Sequence, residues 1–211
     1  MSVLGFPNGS LAEPTRRLLK KSGILIRPKG RNYLLKLNGA SPFDEVLILR
    51  PQDMPRAVHE GMVTVGFSGM DWLAESGLES QLEIVATFPY SKARMEAPKI
   101  VVLGRTKSFR DTPDTIVVSE YRVLPAQCFH QAKLVTVAGT AEAWVVGGKA
   151  DFCVDLYDEG RTAKANNLVI VGEPIIVSPT ILLARKDSPL LPAIELFVEK
   201  LQEAFARLVN E

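Results

Sequence analysis

The stretch Glu45-Val46-Leu47-Ile48-Leu49-Arg50-Pro51-Gln52-Asp53-Met54-Pro55, followed through Glu60-Gly61 to Val63–Phe67 and Ser68-Gly69-Met70-Asp71, decides the fold. Glu45–Leu49 is apolar and β-branched enough to be a strand, and the prolines that follow open a helix running to about Glu60, which Gly61 closes. Val63–Phe67 repeats the strand pattern. Its small-residue turn leads to Asp71, placed to cap a helix through Glu75. Strand, loop, helix and strand with short connections are the signature of βαβ units and a mainly parallel sheet.

The same grammar extends in both directions. Val3–Phe6 is a strand that enters the turn Pro7-Asn8-Gly9, and Ser10-Leu11-Ala12-Glu13 has the form of a capping box. The helix behind it turns Leu11, Leu18 and Leu19 inward and ends with basic residues near Gly23. Tyr33–Leu37 is a further strand. From Leu82 the pattern restarts, with strands expected at Glu83–Thr87, Ile100–Leu103, Thr115–Ser119, Leu134–Val137, Phe152–Leu156 and Leu168–Val171. Ala141–Val146 reads as a helix, Ile175–Ala184 as an extended apolar run, and Pro189–Val209 as an amphipathic helix with Ile194, Phe197, Val198, Leu201, Phe205 and Leu208 on one side. The polar stretch Phe88–Lys99 is the expected crossing between two lobes, and Gly172–Pro179 the return. These crossings divide the chain into a first lobe of residues 1–90 with 177–211 and a second of 91–176.

Composition narrows the class. The 211 residues include 46% apolar and 23% charged side chains, which excludes a disordered chain, and 25 Lys plus Arg against 24 Asp plus Glu give no electrostatic reason to expect nucleic acid or an anionic membrane as partner. Cys128 and Cys153 cannot build a disulfide framework, and with His59 and His130 they make no zinc-ligand spacing. The opening residues lack the basic start and long apolar core of a signal peptide, and no apolar run approaches the ~20 residues of a membrane-spanning helix, so a cytoplasmic location is expected.

Three segments can carry chemistry. In Ala150-Asp151-Phe152-Cys153-Val154-Asp155-Leu156-Tyr157-Asp158-Glu159-Gly160-Arg161-Thr162, an apolar strand ends in acidic residues and a glycine-containing loop before a helix. Such a loop aims backbone N–H groups at a phosphate, with Asp155 and Asp158 placed for sugar hydroxyls or a Mg²⁺. On spacing alone it reads rather as a plain strand–turn–helix junction with acidic residues at the cap, since such junctions are common. Arg50 lies at the carboxyl end of a strand, where open α/β sheets bind ligands, and its planar fork suits phosphate oxygens; the alternative is a surface pair with Asp53. Val65-Gly66-Phe67-Ser68-Gly69-Met70-Asp71 is a third strand end. Trp72 and Trp144 read as packing residues, and His59 and His130, in helical contexts, as neither acid nor base. Without a Walker A, G-x-G-x-x-G or G-x-S-x-G motif, chemistry must rest on orientation and electrostatics.

Taken together, these segments resemble the ATP phosphoribosyltransferase family in its short form. The resemblance runs from Pro7-Asn8-Gly9-Ser10-Leu11 through Leu49-Arg50-Pro51-Gln52-Asp53-Met54-Pro55, Gly66, Gly69, Asp71 and Trp72. It continues through Phe88-Pro89-Tyr90-Ser91-Lys92-Ala93, Gly139-Thr140-Ala141-Glu142, Asp155 and Gly160-Arg161-Thr162 to Asn166-Asn167-Leu168 and about Ala184. It implies an α/β fold of two lobes of the periplasmic-binding-protein type II kind, with mixed, mainly parallel sheets and the active site in the inter-lobe cleft. The implied reaction, the first step of histidine biosynthesis, joins N1 of ATP's adenine to C1 of phosphoribosyl pyrophosphate and releases pyrophosphate, with Mg²⁺ carried by the substrate.

By resemblance, Arg50 and Asp155 are the catalytic residues, Arg50 facing the pyrophosphate and Asp155, with Asp158, the ribose hydroxyls. Glu159, Gly160, Arg161 and Thr162 would cradle the 5-phosphate, Glu142 would lie near the nucleotide, and Asn8, Ser10, Gly69 and Asp71 would line the first-lobe side. The implied partners are ATP, phosphoribosyl pyrophosphate and a regulatory subunit related to histidyl-tRNA synthetase, with a homodimer of this chain inside a hetero-octamer, because the chain ends one helix beyond the two lobes. Three departures from the family pattern remove positive charge or add negative charge. Asn8 and Ser10 stand where the family often has Lys and Arg, Glu120 stands in place of a Lys, and Glu159 in place of a Thr or Ser. The alternative reading is a catalytically altered paralogue that binds a small anionic ligand.

Overall fold

Val3–Pro7 (β1) and Val65–Gly69 (β4) are buried at every position, as strands covered on both faces must be. In the computed structural model, which describes residues 1–27, 30, 32–37, 41–91 and 95–210, they lie at the centre of a six-stranded sheet. The other strands of that sheet are Leu34–Lys36 (β2), Glu45–Leu49 (β3), Leu82–Phe88 (β5) and Thr180–Arg185 (β11), in the order β2-β3-β1-β4-β11-β5. β1 pairs in parallel with β3 and β4, and the remaining neighbours are antiparallel.

Helices Ala12–Lys21 (α1) and Pro192–Val209 (α7) close one face of this sheet. Leu18 and Leu19 of the first, and Ile194, Phe197, Leu201 and Ala204 of the second, join Leu4, Phe6, Val46, Phe67 and Phe88 in one cluster. Met54–His59 (α2) and Met70–Ser76 (α3) serve the other face. Met54 is wholly buried, and a methyl group added to Gly5 or Gly66 would come within 2.4 or 2.5 Å of its sulfur. Gly5 and Gly66 are register partners on β1 and β4, so two glycines side by side make the slot that this one side chain fills.

A second, five-stranded sheet has the order β10-β6-β9-β7-β8, from Lys99–Gly104 (β6), Ile116–Ser119 (β7), Lys133–Thr136 (β8), Phe152–Tyr157 (β9) and Val169–Val177 (β10). β9, β7 and β8 are parallel, whereas β6 is antiparallel to both β9 and β10. Val123–Ala126 (α4), Ala141–Val146 (α5) and Arg161–Ala165 (α6) follow β7, β8 and β9. Ala141, Val145 and Ala163 pack on Val101, Leu103, Val118 and Cys153.

The chain thus forms two compact units, Met1–Ala97 with Pro179–Glu211 and Pro98–Ser178. The first crossing lies beyond Tyr90 because that residue belongs to the first core. Its ring stacks on Phe88 with centroids 6.3 Å apart, and its hydroxyl shares a buried 2.8 Å hydrogen bond with the Thr15 hydroxyl. Lys92 and Ala93 of the expected crossing lie outside the described residues. Among the described residues, no helix is long and apolar enough to cross a membrane.

Several expectations are corrected. The capping box does not form: Gly9–Leu11 is a 3₁₀ turn, no side chain caps α1, and Glu13 pairs with Arg16 and Arg17 instead. The backbone of Gly9, at φ +70°, turns Ser10 out of capping position. Asp71 is not a cap either, because α3 begins at Met70 with Gly69 before it. Parallel pairing is confined to β3-β1-β4 and β9-β7-β8, a smaller share than expected, since the returning strand β11 and the antiparallel β6 each enter against their neighbours. Leu168–Val171 extends to Val177 through an irregularity between Val171 and Ile176, which splits the single run expected over Ile175–Ala184. His130 lies in a bend after α4, and Trp144 is 43% exposed, so it is not a core residue.

Candidate active site

In the second unit the site residues gather at the carboxyl ends of the three parallel strands. β7 and β9 are locked there by Ser119, whose hydroxyl donates to the Val154 carbonyl at 2.7 Å and accepts the Tyr121 N–H at 3.0 Å. Asp155 is the next residue on β9, and one of its carboxylate oxygens takes its neighbour Leu156's N–H at 2.7 Å. Glu142 reaches it from the first turn of α5 and shares a hydrogen bond with it. Glu120, one residue past β7, adds a third carboxylate, with one oxygen over Gly139.

Burial, then the charge of Glu142, raises the Asp155 carboxyl to about 7, against the partial relief of the Leu156 N–H. At pH 7 the Asp155 carboxyl is therefore about half protonated. The Cys153 thiol below is pushed up by burial and by the same two carboxylates, which makes it an inert packing group. Thr140, just before α5, has φ +51°, a left-handed conformation that a β-branched residue rarely adopts. This strain sits next to the residue that delivers Glu142.

The loop after β9 is built around Gly160, at φ +67° and immediately before α6. A Cβ on Gly160 would lie 2.1 Å from the Tyr157 hydroxyl, so both the backbone conformation and the overlying ring require glycine. Asp158 and Glu159 are half-buried, and Thr162 is exposed. The Glu159 carboxylate forms an ion pair with the Arg161 guanidinium. α6 has only five residues, so the loop offers individual N–H groups that the helix leaves unused, not a long dipole.

In the first unit, Asn8, Ser10, Arg50, Gly69 and Asp71 lie at or just past the carboxyl ends of β1, β3 and β4. The Asn8 N–H donates to the Leu49 carbonyl at 2.8 Å, which joins the exits of β1 and β3. The Ser68 hydroxyl donates to the Pro51 carbonyl at 2.8 Å and ties the exit of β4 to the 3₁₀ turn Pro51–Asp53. Arg50 immediately precedes that turn in extended conformation and is exposed; the alternative pair with Asp53 does not form, and among the described residues no ion pair holds its guanidinium. Asp71 is 1% exposed and engaged inside the protein, so it shapes the strand end from within.

The structure therefore brings Glu142, Asp155 and the Asp158–Thr162 loop together in one unit, and Asn8, Ser10, Arg50, Gly69 and Asp71 in the other. Sequence reasoning gave no role to Ser119, Thr140 or Tyr157. Tyr157 stood in the quoted segment, but its contact with a glycine three residues on depends on how the loop folds back. Among the described residues, no group of three His, Cys, Asp or Glu is arranged to hold a metal ion. Both cysteines are free thiols.

A family model described as ATP phosphoribosyltransferase matches residues 50–204. A protein named ATP phosphoribosyltransferase from Nitratidesulfovibrio vulgaris (strain DP4) is 34% identical over 191 residues, covering 87% of this chain and 64% of its own. One of the same name from Kocuria rhizophila is 30% identical over 207 residues, covering 96% of this chain and 72% of its own. The chain thus spans less than two thirds of the first of these relatives. Among solved structures, the ATP phosphoribosyl transferase (HisG:HisZ) complex from Thermotoga maritima contains a chain of like fold, with a TM-score of 0.77 at 24% identity over 98% of this chain and 100% of that one. A periplasmic His/Glu/Gln/Arg/opine family-binding protein from Silicibacter pomeroyi, solved with lysine, shares the fold at a TM-score of 0.59 and 13% identity, covering 99% of this chain and 90% of its own.

Proposed function

The chain belongs to the ATP phosphoribosyltransferase family, and from that premise we propose that it transfers the 5-phosphoribosyl group of phosphoribosyl pyrophosphate to N1 of ATP, the first step of histidine biosynthesis. The observation that carries this reading is the Gly160 turn beside Asp155: a tight left-handed turn that opens a helix directly follows a strand-end carboxylate. A sugar phosphate needs that pairing, with hydroxyls met by a carboxylate and phosphate oxygens by backbone donors.

In the reaction, adenine N1 forms the new bond to C1 as the bond from C1 to the pyrophosphate oxygen breaks, and the electron pair leaves with the pyrophosphate. Positive charge grows on the ribose ring and negative charge on the leaving group, so the protein's contribution is alignment and electrostatic stabilisation. Asp155, ionised, and Asp158 would hold the ribose hydroxyls. Gly160, Arg161 and Thr162 would hold the 5-phosphate, with Glu159 in the same loop. Arg50 would meet the departing pyrophosphate, which brings its own Mg²⁺. Asn8, Ser10 and Gly69 would supply small polar contacts, with Asp71 holding their frame, and Glu142 would face the nucleotide while tuning Asp155. A cytoplasmic location, a homodimer, and a hetero-octamer with a subunit related to histidyl-tRNA synthetase belong to the same proposal.

The test is turnover of ATP with phosphoribosyl pyrophosphate and Mg²⁺, followed by the product's ultraviolet absorbance, with and without the synthetase-like subunit of the same organism. Product in either mixture is the expected result. Folded protein that yields no product in both would overturn the reading and favour the anion-binding paralogue.

A further inference from the structure

We propose that Glu159 sets the phosphate affinity of the Gly160 loop by occupying Arg161, so that an incoming phosphate must take the guanidinium from a carboxylate of the protein itself. The inference rests on the proposed function, because it takes the phosphate of a phosphoribosyl group as the ligand of this loop.

Glu159 and Arg161 flank Gly160, and its left-handed turn folds the two side chains onto each other as an ion pair. The two halves of the pair are unequally placed. The Glu159 side chain is 20% exposed, whereas that of Arg161 is 83% exposed. The carboxylate is therefore the anchored member, and the guanidinium is the member free to change partner. A pair this open to water is weak, so a phosphate, with more negative charge and two oxygens for the planar fork, can displace it. Glu159 acts in two ways that the variants separate. It competes for Arg161, an effect that disappears without the arginine, and it repels an anion directly, an effect that does not.

The experiment is calorimetric titration of ribose 5-phosphate into the full chain, as wild type, Glu159→Gln, Arg161→Ala and the double variant, with folding checked by thermal unfolding. The expected result is up to about fivefold tighter binding by Glu159→Gln, the most that releasing an exposed ion pair can return, and a gain below about twofold when Arg161 is already alanine. Glu159→Thr, which removes the charge with a smaller side chain, should show the same gain and serves if the glutamine variant does not fold. Equal gains with and without Arg161 would overturn competition as the cause, and an unchanged affinity would overturn the proposal altogether. Absence of ribose 5-phosphate binding in all four forms also overturns it; wild-type turnover then decides whether the proposed function falls with it or stands.

Discussion

At the exits of β1, β3 and β4 the first unit places Asn8, Ser10 and the exposed Arg50, whereas the exits of β7, β8 and β9 in the second unit carry Glu120, Glu142, Asp155, Asp158 and Glu159. Both have three parallel strands, each leading into a helix; antiparallel strands flank the first set on both sides and the second only beyond β9. What differs at the exits is charge. One strand end offers an arginine without an ion pair among the described residues, and the other offers carboxylates that crowd one another until one of them takes up a proton near neutrality. The sheet supplies the position, and the loop residues decide whether that position suits a polyphosphate or a hydroxylated sugar.

The largest effect expected from breaking this contrast is on the cationic side. Arg50→Ala should lower kcat/KM by about 10²–10³-fold, the usual loss when one charge-stabilising donor is removed. Because the side chain is exposed and bears no ion pair among the described residues, the melting temperature should hardly move. Steady-state kinetics beside a thermal melt check both halves; a variant of full activity would take Arg50 out of the reaction. Next is Gly160→Ala, which meets the Tyr157 hydroxyl and a left-handed backbone together. Ribose 5-phosphate should bind about 10–100-fold more weakly, given a left-handed penalty of about 1–2 kcal/mol and a displaced ring. Combining it with Tyr157→Ala should recover part of the loss, because the ring is then gone while the backbone strain remains.

The third prediction concerns the proton on Asp155. With its carboxyl raised to about 7, Asp155 holds a proton in the folded protein between pH 4 and 7 that the unfolded chain has released. The unfolded state binds fewer protons there, so this group's contribution to stability is present at low pH and lost as pH rises through about 7. Thermal melts at pH 5 and pH 8 should therefore differ less for Asp155→Asn than for the wild type, by a few degrees. Ligand binding should run in the opposite direction, with ribose 5-phosphate binding more tightly as pH rises through the same range. The smallest effect is expected at Ser10→Ala. A working capping box would cost about 1 kcal/mol to lose, but none forms here, so urea unfolding should register less than about 0.5 kcal/mol.

How far the sequence could be read follows the range of the interactions involved. The β3–α2–β4 segment and the helix Ala141–Val146 were legible because apolar periodicity and turn residues encode them locally. The capping box misled because Gly9 lets the backbone enter a 3₁₀ turn that removes Ser10 from capping position. The split between β10 and β11 falls at Ser178-Pro179, inside the run read as one extended segment; the proline lay within the expected return crossing, but the extent of each strand depends on its pairing partners. For the candidate site, the residues themselves were legible through the family motifs, but their mutual effects were not. Glu120, Glu142 and Asp155 are distant in sequence and meet because β7, β8 and β9 are neighbours in the sheet. Tyr157 covers Gly160 only after the loop has turned.

The slot between Gly5 and Gly66 ties three positions of the chain into one packing unit. An alanine at either glycine would put its methyl within 2.5 Å of the Met54 sulfur, so that side chain would have to shift or be shortened. Met54 begins α2, directly after the turn that follows Arg50. A shift of Met54 forced by a change at either buried glycine would act at the start of α2, one short turn beyond the exposed arginine.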